Sequence, residues 1–417
     1  MKFADYVVTE TVGNSVDPLG YLRPSGEVSG GLFRQFTVLS NHPAYQGFLA
    51  FAFSNLAGRS VSPAKREFSR RVRDLEILWG VLNVRAGESV INVTKFQPLT
   101  QLDTLRLEEV GRRPALYARL NYGVLGHYSS PSAFWKIIEP GGAGLTALGT
   151  ELATAWRWRA GLDFTVLVDR WLNNEDLFAI DGLEKWGEAY RLNAMPEKSE
   201  QKVWQSLIDG LCLREPVLAP IWRNPVPNEV LSLSADESLY PGFFPALREH
   251  YAGQDELCRR VELCNRFERL SGLVQFVYEW EYVRRLDENR AIGLTNGDIP
   301  KVVTREIAEA AKHFIAGQGE REFWSLPATL ATIGNYEAMA TTILAHHTRH
   351  QRSKGASPFI AGDVVAVQDR VNGPEFVRFF GDMVKDPGRL SDATQWRYHR
   401  NWHFSRARDW QRYAGVI

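Results

Sequence analysis

A mainly α-helical, multi-helical protein with minor β structure in its N-terminal half is the fold class the sequence predicts, on three observations. Apolar residues recur at helical spacing over long stretches, as from Asp255 to Leu286, where Leu257, Val261, Cys264, Phe267, Leu270 and Leu273 form one stripe. Strands alternating with helices, the mark of a βαβ protein, are absent. A glycine cluster, Pro140 to Gly144, leads into a short apolar step ending at Leu145 and supplies the minor β component.

Each element follows from local pattern. The first 30 residues are punctuated by glycine and proline and read as irregular. Ala44 to Leu56 is apolar nearly all round, which predicts a buried helix. From Ser62 to Trp79 the residues Phe68, Val72, Leu75 and Trp79 make one apolar stripe, and Arg66, Arg70 and Arg73 repeat the spacing on another face. Val90 to Leu125 reads as short helices and turns. Ser129 to Glu139 reads as a short helix with a serine cap and an early proline. After the glycine turn, Thr146 is placed to cap a helix and Gly149 to allow close packing.

Arg214 to Glu229 carries four prolines and reads as a linker or extended crossing segment. It separates an expected α-rich domain, residues 1–213, from a helical domain, residues 230–417, with residues 214–229 as the linker. In the second domain Asp255 to Leu286, Pro300 to Ala316 and Leu326 to His350 are expected helices, and Cys258 and Cys264 fall on different faces of the first.

Length and composition bound the function. A chain of 417 residues holds two or three domains with buried cores. Its 49 basic and 49 acidic side chains cancel, so no global field draws it to nucleic acid or anionic lipid. Any such contact must be local. Three cysteines without a C-x2-C pair predict buried thiols, neither a disulfide framework nor a cysteine zinc site. The N-terminus has no apolar signal region, and no apolar run reaches the roughly 18 to 20 residues a bilayer requires. The expectation is a cytoplasmic protein without a membrane partner.

No complete catalytic motif is present. There is no G-x-x-x-x-G-K-[ST], and Gly141, Gly142 and Gly144 read as a turn, so ATPase and dinucleotide chemistry are disfavoured. His346/His350 and His399/His403 are spaced four apart, as metal ligands on a helix would be. Neither pair has the glutamate of H-E-x-x-H. His399 and His403 share an arc with Trp396, Tyr398, Trp402, Trp410 and Tyr413, which predicts histidines packed between aromatic rings. His346, His347 and His350 lie at a basic helix end with Arg349, Arg352 and Lys354, where cations complement the helix dipole. Asp163 and Asp169 flank an apolar run but lack the E-x-K of a metal nuclease. No G-x-S-x-G elbow supports a serine hydrolase. No cofactor and no metal ligand is assigned.

The densest feature is Trp396 to Tyr413, with six aromatics, five arginines and two histidines in eighteen residues. As one helix it would gather Arg397, Arg400, Arg408 and Arg412 on one arc and most aromatics on the other. An arginine face over an aromatic-packed helix suits phosphate contact. These four arginines, with Arg66, Arg70 and Arg73 as a second basic surface, are the candidate nucleic-acid-binding residues.

Leu145, Thr146, Gly149 and Leu152 resemble the segment that follows the wing in bacterial winged-helix proteins, which implies a winged-helix module near residues 110–160. The end ARDWQRYAGVI resembles the closing helix and strand of such a unit. The segments DPLGYLRPSG, LYARLNYGVLG, GLTALGTELATAW and RYHRNWHFSRARDW resemble uncharacterised α-rich bacterial anti-phage defence proteins. That resemblance implies a non-catalytic subunit of a nucleic-acid-directed complex, with DNA or RNA and other protein subunits as partners. The alternatives are a metal-dependent nuclease or hydrolase using the C-terminal histidines, and a pure assembly protein.

Overall fold

A computed structural model describes residues 19–33, 35–36, 42–59, 61, 66–102, 104–117, 123–142, 144–175, 177, 189–234, 242–286, 299–319, 324–361, 364–365 and 402–417. In chain order the elements are α1 (Leu22–Phe33), α2 (Ala44–Gly58), α3 (Arg66–Arg85), α4 (Val93–Phe96), α5 (Leu107–Gly111), α6 (Pro114–Tyr117), α7 (Val124–Phe134), α8 (Ala147–Leu172), α9 (Lys198–Arg214), α10 (Ala219–Arg223), α11 (Asn228–Ser232), α12 (Phe243–His250), α13 (Asp255–Leu286), α14 (Ile299–Gln318), α15 (Leu326–Leu330), α16 (Tyr336–Ser353), β1 (Ile360–Ala361), β2 (Val364–Val365) and α17 (Trp402–Tyr413). The protein is mainly helical. Among the described residues no helix is long and apolar enough to cross a membrane.

Two compact units divide the chain: Met1–Leu32 with Val226–Trp402, and Phe33–Pro225 with His403–Ile417. The division crosses the proline-rich segment. It differs from a simple 1–213 and 230–417 partition because each unit takes one end of the chain from the other half. The prolines are not an extended crossing either. Pro220 lies in the first turn of α10 and Pro227 at the N-cap of α11, where a missing N–H removes no helical hydrogen bond.

In the second unit α2 is the central element. It is buried on nearly every side and packs on α3, α7 and α8. Phe48 stacks on Trp79 at 4.5 Å, and Phe51 lies 4.8 Å from Trp156. Gly47 is required here, because a Cβ would come within 2.6 Å of the Trp156 ring. A second aromatic group joins Trp135, Trp204 and Trp222 to Trp410 and Tyr413 of α17.

The Thr146 cap and the Gly149 approach are as the residues predict. The Thr146 hydroxyl accepts from the Gly149 N–H at 3.0 Å, and the Gly149 backbone lies directly on the Ile137 carbonyl. The expected β structure is much smaller than a wing. Ile138 pairs with Leu145 as an isolated bridge, closed by Glu139 N–H to Gly144 O at 2.9 Å and Thr146 N–H to Ile137 O at 3.1 Å. Thr146 begins α8 at once, so the pairing has no room to lengthen. Among the described residues the N-terminal half has one other bridge, Leu105 with Leu177, and the two-residue antiparallel pair β1–β2 lies in the C-terminal half. The end of the chain after α17 is a turn and coil without a strand. α7 begins at Val124, five residues before the expected serine cap, and holds Pro131 in its interior. Ser129 instead donates back to the Leu125 carbonyl within the helix.

In the first unit α13 is the spine, with α12, α14 and α16 packed along it. The segment expected as one helix from Leu326 to His350 is two, and Asn335 caps the second by accepting from the Ala338 N–H at 2.9 Å. Tyr21 donates to the Ser271 carbonyl at 2.9 Å and meets the Trp324 ring edge-on at 5.0 Å. Cys264 is buried and Cys258 half-buried, on different faces of α13.

His42 tunes the start of α2. Its Nδ1 accepts the Ala44 N–H at 3.2 Å, so the proton must stay off that nitrogen. Burial first, and the nearby Arg159 charge second, lower its pKa from 6.5 to about 4. The unfolded imidazole therefore takes up its proton before the folded one. Stability is untouched above about pH 7 and falls as pH drops from 6.5 towards 4, by on the order of 2 to 3 kcal/mol. We expect His42→Asn, which keeps an acceptor and cannot titrate, to flatten that slope in denaturant midpoints measured against pH. Equal slopes in both proteins would refute the assignment.

Candidate functional site

The expected basic surfaces form only in part. Arg397 and Arg400 lie outside the described residues, as does His399. Arg408 and Arg412 sit on α17, where Arg412 is exposed and faces Asp409 at 3.5 Å. Arg406 is half-buried, and burial lowers its pKa to about 10. His403, Trp410 and Tyr413, which the spacing puts on one arc, turn inward, and so does Phe404, which it does not. His403 is sandwiched between Phe33 at 5.1 Å and Phe36 at 6.0 Å. Gln411 anchors the helix by donating to the carbonyls of Ile221 at 3.0 Å and Trp222 at 2.9 Å. The aromatics thus dock this helix, with Asp409 and Arg412 exposed and Arg408 half-buried.

On α3 the arginines separate. The Arg66 side chain lies outside the described part, and Arg70 is exposed over the Tyr117 ring at 5.3 Å. Arg73 is a correction: it is 2% exposed and bonded to Glu76 at 2.9 Å, so it cannot belong to a solvent-facing basic surface. Its place one turn before Glu76 lets the pair neutralise itself inside the unit. Glu76 also accepts from Asn92 at 3.2 Å, and burial raises its pKa against the pull of Arg73.

The other histidine pair is structural in its contacts. His346 meets the Leu19 carbonyl through Nε2 at 2.9 Å, and its ring lies parallel to that of His350 at 6.4 Å. His347 accepts the Phe359 N–H at 2.9 Å. Among the described residues no group of three or more His, Cys, Asp or Glu is arranged to hold a metal ion.

The surface that stands out was not flagged by the residue pattern. α8 is broken at Gly161, whose φ of 86° and ψ of 163° are not helical. On either side of the break, Trp158 is 75% exposed, Leu162 79% and Val166 43%. Arg159, between them in sequence, is buried and donates to the carbonyl of Ala194 at 3.2 Å; the residue after it, Met195, is 61% exposed. Exposed apolar side chains this large on one short stretch of α8 make it the candidate interaction surface. The cue in the sequence was the run AWRWRAGLDF, where Trp158 and Leu162 fall off the inward arc of Leu152, Trp156 and Phe164.

Beneath the patch lies a buried ion pair. Arg159 and Glu200 meet at 2.7 Å with both side chains essentially fully buried. The Tyr413 hydroxyl donates to Glu200 Oε1 at 3.0 Å. Burial raises the Glu200 pKa, opposed by the Arg159 charge and by that hydrogen bond. The pair fixes the backbone that displays Trp158 and Met195.

No family model, no curated protein and no solved structure matches this chain.

Proposed function

We propose that the chain is a non-catalytic subunit of a larger bacterial assembly directed at nucleic acid. It docks a protein partner through the patch of Trp158, Leu162, Val166 and Met195, and the arginines of the C-terminal helix contribute phosphate contacts. The patch carries this reading. An exposed tryptophan beside a leucine on a helix held by a buried ion pair has the make-up of an interface hot spot, a rigid aromatic anchor ready to be desolvated. Arg412 faces outward on a docked helix, as a phosphate-contacting side chain must, and Arg408 on the same helix is half-buried. The resemblance to anti-phage defence proteins is consistent with such a subunit.

The test has two arms on the full-length protein. Trp158→Ser with Leu162→Ser should leave the denaturation midpoint unchanged, because both side chains are exposed, and should release the subunits that co-purify with the tagged wild type from its own cells. Arg408→Glu with Arg412→Glu should weaken binding to short DNA or RNA in fluorescence anisotropy by about tenfold, with a shallower salt dependence between about 50 and 200 mM. Unchanged co-purification in the first variant would remove the docking reading. Absence of salt-sensitive binding by the wild type would remove the nucleic-acid part and leave an assembly protein.

A further inference from the structure

The first unit contains a cavity of about 390 Å³ between the C-terminal end of α13 and the first turns of α14 and α16. Small-molecule clefts span roughly 300 to 1,000 Å³, so the space holds a compact ligand. Its walls are chemically divided. Trp280 and Tyr336 present aromatic surface, their rings 6.4 Å apart and inclined at 57°. Glu281 is almost wholly buried at the cavity wall. It accepts the Tyr336 hydroxyl at 2.9 Å through Oε1, and Arg285 pairs with Oε2. That triad fixes the Tyr336 ring and neutralises its own charge.

Glu337 and Thr341, one turn apart on α16 and both exposed, also line it, beside Pro300, Ala340 and Leu344. Glu337 has no ion-pair partner among the described residues. Among the described residues the lining holds two carboxylates and one guanidinium, a net charge of minus one. Aromatic faces and an unneutralised carboxylate around one small space are the combination that recognises a cation with an apolar stem.

We propose that this cavity is a binding site for a small organic cation, a guanidinium or alkylammonium group. Its apolar stem lies against Trp280 and Tyr336 and its charge turns to Glu337. The site is independent of the docking patch, which belongs to the other unit. It requires no covalent chemistry.

Isothermal titration of the full chain at about 50 mM salt tests the site, with agmatine and butylammonium as probes and butyrate as the anionic control. Saturable one-to-one binding of a cation, without binding of butyrate, is expected. Glu337→Gln should weaken it by about fivefold, the effect of one partly exposed charge. Thr341→Trp, at an exposed helical position, should fill the cavity and abolish binding while the melting temperature stays unchanged. No saturable heat from either cation up to about 10 mM, equal binding of butyrate, or binding indifferent to both substitutions would overturn the proposal.

Discussion

Arg159→Ala is expected to destabilise the protein by about 3 to 5 kcal/mol, the cost of leaving one member of a buried ion pair without its partner. The loss lies on the Glu200 side. With the guanidinium gone, a carboxylate sealed inside the unit keeps only the Tyr413 hydroxyl and its local hydrogen bonds. Burial already raises the Glu200 pKa, and removal of Arg159, its main opposing influence, raises it further. The carboxyl of the variant then enters the folded state protonated over a wider pH range. The stability difference between wild type and variant should therefore shrink as pH falls. Replacing both partners by apolar residues, Arg159→Met with Glu200→Leu, should recover most of the loss, because neither charge then needs a counter-ion. Urea titrations at two pH values measure all three proteins. A single variant as stable as the wild type, or a double variant no better than the single, would show that the pair does not have this role.

Gly149→Ala is the second large effect. In a helix interior this change ordinarily stabilises by up to about 1 kcal/mol. Here the new Cβ would stand 1.9 Å from the Ile137 carbonyl oxygen and 2.9 Å from its carbon, and both are backbone atoms. That carbonyl is also held by the Thr146 N–H, so relief requires moving the turn and the start of α8 apart. We expect a loss of about 3 kcal/mol. Gly26→Ala, on an exposed face of α1 with nothing within 4 Å of the added carbon, is the matched control and should gain stability. The two glycines should thus respond with opposite sign in the same denaturation assay. A gain at both positions would show that α8 packs less closely than its backbone implies.

Legibility in the sequence followed the range of the interaction. Periodicity drew α13 at its observed limits, and the apolar run at residues 44–56 gave the buried α2, because each reflects one helix against one environment. Thr146 and Gly149 were readable for the same reason, since a cap and a close approach act over a few residues. Arg73 was not. It sits on an arginine-spaced face, and only the packing of α3 with the Gly123 backbone and Asn92 decides that it turns inward to Glu76. The basic-aromatic end was visible as a dense cluster. Its aromatics serve to dock α17, however, because the slot that receives them is built from Trp135, Trp204 and Trp222, far away in the chain. The exposed apolar stretch of α8 is not legible in the sequence because it follows from a backbone break at Gly161, which turns Trp158 and Leu162 outward.

The exchange of chain ends has a consequence for how the protein is made. The slot of Trp135, Trp204 and Trp222 leaves the ribosome long before α17, its filler, with some 180 residues synthesised in between. Throughout that interval Trp135 and Trp204 lack the rings of Trp410 and Tyr413 that pack on them in the folded unit. A nascent chain in this state presents the kind of surface that chaperones hold. Closure of this unit then waits for α17.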